Sequence, residues 1–347
     1  MTFYNKCEKE TADLTIYDIS KRAGVSIATV SRVLNGSANV NPQTRKKVME
    51  VIEQCGYTPN AFARGLGLNT MNTIGILCVD SSDFYLSKAV YYIEQNLRAG
   101  GYHAVLCCTG YDLESKKESL SFLLNQHVDS VIMVGSTLIE AKSGDNQYIC
   151  DAAQQVPIML LNADLDCPNV YCTMCDDFKS MQDATLFLLD QGIEDILYLY
   201  NSNSYSGKKK LAGYRAAMEE KGLLKEDLIQ FCDGSHEDVA FMTEHLNTLY
   251  KQGLAFHGVI AADDTLALAA LKFAREIGRN VPEDFSVLGY NNSMLAMCCQ
   301  PELTSIDNKL ETLCQHLITT LMGVLAGGEM PKKTVFSGEI VKRGTTR

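Results

Sequence analysis

Residues 15–35 read Thr-Ile-Tyr-Asp-Ile-Ser-Lys-Arg-Ala-Gly-Val-Ser-Ile-Ala-Thr-Val-Ser-Arg-Val-Leu-Asn, which predicts two short helices folded about a tight turn. Thr15 and Asp18 have the spacing of a capping box that opens the first helix, and Ile16, Ile19 and Ala23 recur at helical spacing along it. Gly24 supplies the turn, Ser26 stands where it caps the second helix, and Val30, Val33 and Leu34 form that helix's buried stripe. Its outer side is left with Ile27, Ala28, Thr29, Ser31, Arg32 and Asn35. Small groups, hydroxyls, an amide and one guanidinium suit a surface that meets base edges and phosphates in a DNA groove. Two helices of an ordinary helical domain would not require that surface.

The next segment extends the same module. Asn41-Pro42 is a strong helix start, because the asparagine caps and the proline's missing N–H costs nothing at the first helical position. Val48, Val51 and Ile52 give a third helix its apolar face, and Gly56 ends it. Arg45, Lys46 and Lys47 crowd the first turns, where cations oppose the helix dipole; a nearby phosphate would relieve the conflict.

From Thr73 onward the pattern changes to β-rich runs alternating with helical ones. Strands are expected at 73–79, 103–108, 130–134, 157–161, 195–200, 258–262 and 285–290. Helices are expected near 86–98, 114–126, 178–191, 207–221, 237–252 and 264–277. Such alternation implies doubly wound parallel sheets covered by helices, and the length accommodates two lobes of this kind. The uncharged run Thr312–Gly328 is short and interrupted by Gln315 and His316, so it is expected to be a packed helix rather than a membrane span. Met1–Leu14 has no apolar signal-peptide core, and the chain is expected to stay in the cytoplasm. The expected division is an extension at 1–13, a helix-turn-helix headpiece at 14–58, a hinge at 59–72 and a two-lobed α/β body at 73–347.

The 347 residues carry a net charge of −11, which alone argues against a nucleic-acid partner. The distribution reverses the argument, since residues 14–67 hold seven Lys/Arg against Asp18, Glu50 and Glu53, and the chain beyond residue 67 sums to −14. A basic head on an acidic body confines attraction to phosphate to one end. Thirteen cysteines, odd in number and scattered, are expected to be reduced and packed, with Cys107-Cys108 and Cys298-Cys299 acting as small hydrophobes. Cys172-Thr173-Met174-Cys175 lacks a second pair at zinc spacing, and the six histidines are dispersed, so neither metal nor cofactor is expected. No P-loop and no GxSxG motif is present. A doubly wound body is still compatible with an enzyme, and a sugar-binding module without DNA activity is the other alternative.

The headpiece at 15–35 and 41–57 and the stretch from Pro59 to Leu66 resemble the lactose/galactose repressor family of bacterial transcription regulators. Further on, Lys210-Leu-Ala-Gly-Tyr214, Ala261-Ala-Asp-Asp264, Val281–Tyr290 and Pro301–Ile306 resemble that family's effector-domain landmarks in the family's order. The resemblance implies two lobes like those of type I periplasmic sugar-binding proteins, a ligand cleft between them, and three chain crossings, placed near Tyr171, Ser305 and Val335. It implies a DNA-binding regulator, a repressor by preference, acting as a twofold homodimer on a near-palindromic operator. No trailing leucine heptad follows, so a tetramer is not expected.

Residue by residue, the resemblance puts Ile27 and Ala28 at the positions that set sequence preference, sensing thymine methyls or selecting by exclusion. Arg32 would reach a guanine, and Thr15, Tyr17, Ser26, Thr29, Ser31, Asn35, Thr44 and Asn60 would hold phosphates. Capping alone also accounts for Thr15 and Ser26, and packing for Tyr17. Ala63 belongs to the hinge contact, and Leu66 matches a leucine wedged into a base step, with lobe packing as its other reading. The hinge, with Gly65 and Gly67, is expected to become helical only on DNA. In the cleft the matching positions are Asp83, Tyr85, Asn162, Lys210, His236, Asp263 and Asn291. Lysine stands where the family usually has arginine, and aspartate and asparagine are exchanged at 263 and 291. The expected ligand is a sugar or polyol, with phosphosugar and nucleobase left open, and Asp264 reads as a helix cap.

Overall fold

The computed structural model describes residues 14–34, 37, 39–57, 70–233 and 238–347. The chain divides into two compact units, one ending at Asn72 and the other running from Thr73 to Arg347.

In the first unit, α1 (Ile16–Ala23), α2 (Ile27–Leu34) and α3 (Pro42–Cys55) close around Ile19, Ala23, Val30, Val33 and Val48. The local chemistry explains each boundary. The Asp18 carboxylate accepts from both the N–H and the hydroxyl of Thr15, at 2.9 and 2.7 Å, which holds its pKa below the usual carboxylate value. Gly24 sits at φ +62°, a left-handed conformation open to glycine at no steric cost, and the chain reverses there. Ser26 Oγ accepts from the Thr29 N–H at 3.2 Å and Asn41 Oδ1 from the Gln43 N–H at 2.9 Å, so both expected caps form. The basic run at the start of α3 has a partly internal resolution. The Arg45 guanidinium donates to the Ser37 carbonyl, and Lys46 lies 3.9 Å from Glu50, leaving Lys47 exposed.

The second unit contains two six-stranded sheets among the described residues. In the first lobe β1 (Thr73–Cys78), β2 (His103–Cys108), β3 (Ser130–Val134), β4 (Ile158–Leu161), β5 (Val170–Cys175) and a late strand, β11 (Lys333–Phe336), run parallel in the order β11-β5-β4-β3-β1-β2. Helices α4 (Phe84–Ala99), α5 (Leu113–Asn125) and α6 (Gln147–Ala153) connect them. The second lobe holds α7 (Asp177–Leu189), β6 (Ile196–Tyr200), α8 (Tyr205–Glu220), β7 (Ile229–Phe231), α9 (Val239–Lys251), β8 (Gly258–Ala261), α10 (Asp264–Glu276), β9 (Ser286–Tyr290), α11 (Met294–Cys298) and β10 (Thr304–Asp307). Its sheet order is β12-β10-β9-β8-β6-β7, parallel except where β12 (Glu339–Val341) meets β10.

Strands β3, β4, β5, β8 and β9 are buried along their whole length, as expected of parallel strands covered on both faces. The uncharged run near 312–328 is helix α12 (Leu310–Leu325), which inserts Leu313, Leu317 and Leu321 into the first lobe's core. No described helix is long and apolar enough to cross a membrane. In the second lobe Phe256, Phe273 and Phe285 form one aromatic cluster with ring centroids 5.5–6.0 Å apart.

Three expectations need correction. Tyr171, Ser305 and Val335 lie inside β5, β10 and β11 rather than at the crossings, which follow Cys175, Asp307 and Phe336. β5 continues four residues beyond the position where its crossing was expected, β10 two and β11 one. Of the paired cysteines, Cys108 and Cys298 are exposed rather than packed. Cys150 and Cys167, expected as free thiols, are joined as a disulfide with a Cα separation of 5.9 Å.

Candidate nucleic-acid interface and inter-lobe cleft

Helix α2 turns Val30 and Val33 into the core and leaves Ser26, Ile27, Ala28 and Arg32 exposed, with Thr29 and Ser31 half-buried. Residues 27, 28, 31 and 32 share one helical face by the 3.6-residue period. The Arg32 guanidinium has no hydrogen bond or ion pair among the described residues. Tyr17 is 62% exposed, too open for a packing role alone. Thr15 is exposed but committed to Asp18, and the Thr29 hydroxyl lies 2.9 Å from that of Ser26, so capping occupies both pairs. Thr44 is half-buried near the start of α3. Asn35, Asn60, Ala63 and Leu66, and with them the hinge as far as residue 69, lie outside the described residues, as does His236.

The cleft of the second unit follows from topology. In each sheet the strand order reverses beside the first strand of the lobe, between β1 and β3 and between β6 and β8. Open parallel sheets bind ligands in the crevice beyond the carboxyl ends of strands at such a point. A cavity opens there, lined from the first lobe by Asp83, Tyr85, Ser136 and Asn162, and from the second by Ser204, Lys210, Asp263 and Asn291. Six of the seven expected positions therefore meet.

Several of these side chains are already engaged. Asp83 caps α4, accepting from the Leu86 N–H at 2.8 Å. Asn162, buried at φ +56°, accepts from the Cys175 N–H at 3.0 Å and donates to the Tyr85 hydroxyl, so it anchors Tyr85 to the crossing strand. Asn291 accepts from Asn308 at 2.9 Å. Lys210, only 9% exposed, donates to the Ala262 carbonyl at 2.9 Å and lies 3.7 Å from the centre of the Tyr290 ring. The Tyr290 hydroxyl in turn donates to buried Asp177, which also accepts from Ser206 at 2.6 Å. Burial pushes the Asp177 pKa up, while the Lys210 charge and these hydrogen bonds oppose the shift. The cation of the inner cleft thus rests on a tyrosine ring whose hydroxyl is held by a carboxylate on the crossing helix α7.

The roles expected at 263 and 264 are corrected. Asp263, not Asp264, is the N-cap of α10, accepting from the Leu266 N–H at 2.8 Å. Asp264 is buried at the first helical position, accepting from the Ser305 hydroxyl and the Ser293 N–H, each at 2.6 Å. Burial raises its pKa to about 6, with those hydrogen bonds pulling the other way. A group whose pKa is higher folded than unfolded contributes stability that is fully present below the unfolded value and is lost as pH rises through the folded one. The contribution of Asp264 should therefore grow as pH falls from 7 to 5. Thermal melts are expected to show native protein gaining on the Asp264→Asn variant over that interval, and a gap that stays constant or narrows would contradict the burial argument.

Sequence reasoning missed Ser136, Ser202, Ser204 and Tyr111, all of which line the cleft. The signal was present in Gly135-Ser-Thr137 and Asn201-Ser-Asn-Ser204, polar runs immediately after expected strands. Ser136 donates to Ser204 across the cleft at 2.9 Å, joining the lobes.

Residues 15–60 match the model of bacterial regulatory proteins of the lacI family, and residues 185–346 match that of the periplasmic binding protein-like domain. The chain is 54% identical over 334 residues, 96% of its length, to an HTH-type transcriptional regulator of Lachnoclostridium phytofermentans, covering 99% of that protein. Among solved structures, it resembles the Lac repressor dimer bound to operator and the anti-inducer ONPF (TM-score 0.84, 25% identity) and the transcriptional regulator CelR–cellobiose complex (TM-score 0.69, 27% identity). Each likeness covers 96% of this chain and 99% of the other.

A helix-turn-helix unit beside two parallel-sheet lobes defines a transcriptional regulator rather than an enzyme. The chain belongs to the lacI family of bacterial regulatory proteins.

Proposed function

We propose that this regulator represses transcription as a twofold homodimer in the cytoplasm, gripping a near-palindromic operator with two copies of α2 and releasing or tightening it when a sugar or polyol occupies the inter-lobe cleft. The observation that carries the reading is the exposed face of α2, where Arg32 presents a guanidinium with no partner among the described residues. Ile27 and Ala28 flank it as apolar selectors, and Tyr17, Ser31 and Thr44 stand ready for phosphates. Dimerisation is proposed because two half-sites need two headpieces. The relatives described as operator-bound and cellobiose-bound support both ends of the reading.

Control requires a ligand that favours one lobe arrangement over another, since equal affinity for both shifts nothing. The cleft supplies the means, because its lining comes from both lobes and Ser136–Ser204 bridges them. The test is a titration of a bound duplex, monitored by anisotropy, with and without each sugar of a panel. At least one sugar is expected to change DNA affinity by about 5- to 150-fold, the usual range of allosteric coupling. DNA binding that no sugar or polyol alters would contradict the proposal.

A further inference from the structure

The inner cavity, where Lys210 and Asn291 converge, has a volume of about 150 Å³. That is below the roughly 300–1,000 Å³ typical of ligand pockets. It does not end there. Asp83, Tyr111, Thr137, Asn201, Ser202 and Ser204 also line a second chamber of about 560 Å³, so the two adjoin along a shared wall. The outer chamber adds Asp80, Ser82, Lys116, Glu140, Asn203 and Asp233.

Charge decides what such an annex accepts. Among the described residues its one cation, Lys116, is only 3% exposed and already bound, donating to Glu140 at 2.6 Å and to the Thr137 carbonyl at 2.7 Å. Asp80, Asp83 and Asp233 add negative charge, with no second lysine or arginine among the described residues of the lining. Carboxylates and amides bind hydroxyl groups well, and the carboxylates repel phosphates and other carboxylates. Aromatic faces are at hand too. Tyr111 stands at the junction of the chambers and Phe84 lines the inner one, each 51% exposed. Their rings offer flat apolar surface to the C–H face of a pyranose.

We infer that the cleft takes an uncharged glycoside of at least two sugar rings, one in the inner cavity and the next in the annex, with Tyr111 as the platform between them. The inference rests on the proposed sugar response and narrows it. Size calls for the second ring, and the acidic annex disqualifies phosphosugars.

Calorimetric titration of the full-length protein tests it. The panel is glucose, galactose and xylose, then cellobiose, maltose, lactose, trehalose and xylobiose, then glucose 6-phosphate and trehalose 6-phosphate. At least one neutral disaccharide is expected to bind tenfold or more tightly than its component monosaccharides, and the phosphorylated sugars more weakly than their neutral parents. Tyr111→Ala should weaken the disaccharide tenfold or more, and at least fivefold more than it weakens the monosaccharide, with Tyr111→Phe restoring most of the loss. A monosaccharide or phosphosugar as the tightest ligand, no disaccharide binding, or equal losses for one and two rings in Tyr111→Ala would overturn the inference. DNA affinity read on the same samples separates the failures. A response to monosaccharides alone removes the second ring but keeps the regulator, whereas a response to no sugar removes both.

Discussion

Arg32→Ala is expected to weaken binding to the preferred duplex by about 5- to 150-fold, the equivalent of about 1–3 kcal/mol for one bidentate arginine–guanine contact. Arg32 caps nothing and pairs with nothing among the described residues, and it lies on the face of α2 opposite Val30 and Val33. Alanine is also a better helix former than arginine, so the variant should melt at the native temperature. A loss of affinity then cannot be ascribed to unfolding. Random-sequence duplex should lose less, because only the phosphate attraction of one charge is removed. Arg32→Lys should fall between, keeping the charge and losing the planar fork. Anisotropy titrations on matched and scrambled duplexes, with thermal melts alongside, give all three comparisons.

Gly213→Ala is expected to lower stability by about 1–3 kcal/mol or more, the usual cost of overpacking, and to show as a clear fall in melting temperature. Helix α8 crosses α7 where Gly213 has no side chain. A Cβ built there would stand 2.2 Å from the Phe178 carbonyl oxygen and 3.0 Å from the Gln182 nitrogen. Both are backbone atoms, so no side-chain rotation relieves the clash, and the helices must separate. The consequences reach the cleft, because α7 carries Asp177 and α8 carries Ser206, which donates to it, and Lys210, the cleft's cation. The variant should therefore lose ligand response as well as stability. Gly144→Ala is the control, since nothing lies within 4 Å of a Cβ there and the melt should hardly move. Equal melting of both variants would contradict the close approach.

These two positions also show what a linear sequence discloses. The exposed face of α2 was legible because caps, turn glycine and apolar stripe all act within a few residues of one another. Asn41, Ser26 and Gly24 each do what their side chains dictate locally. The strand and helix alternation was legible for the same reason. The cleft was legible in its resemblance-derived positions but not in its partners, since Ser136 and Ser204 meet across 68 residues of chain. Periodicity carries no information about such a meeting; only the rule that ligands gather beyond strand carboxyl ends would have flagged those serines. Asp263 and Asp264 illustrate a finer limit. Either carboxylate is chemically able to cap α10, and a one-residue difference in where the helix begins sends one to the cap and buries the other. Lys210 is similar: sequence gives a cation, while the tyrosine beneath it and the carboxylate behind are tertiary facts.

The central claim, that α2 reads base edges, is tested most directly by selecting bound fragments from random duplex DNA with the purified native protein. One enriched motif with two half-sites in inverted repeat is expected, and a fixed guanine should drop out of it when the selection is repeated with Arg32→Ala. Recovery of unrelated sequences with no common element, or the same motif with and without the arginine, would contradict that claim.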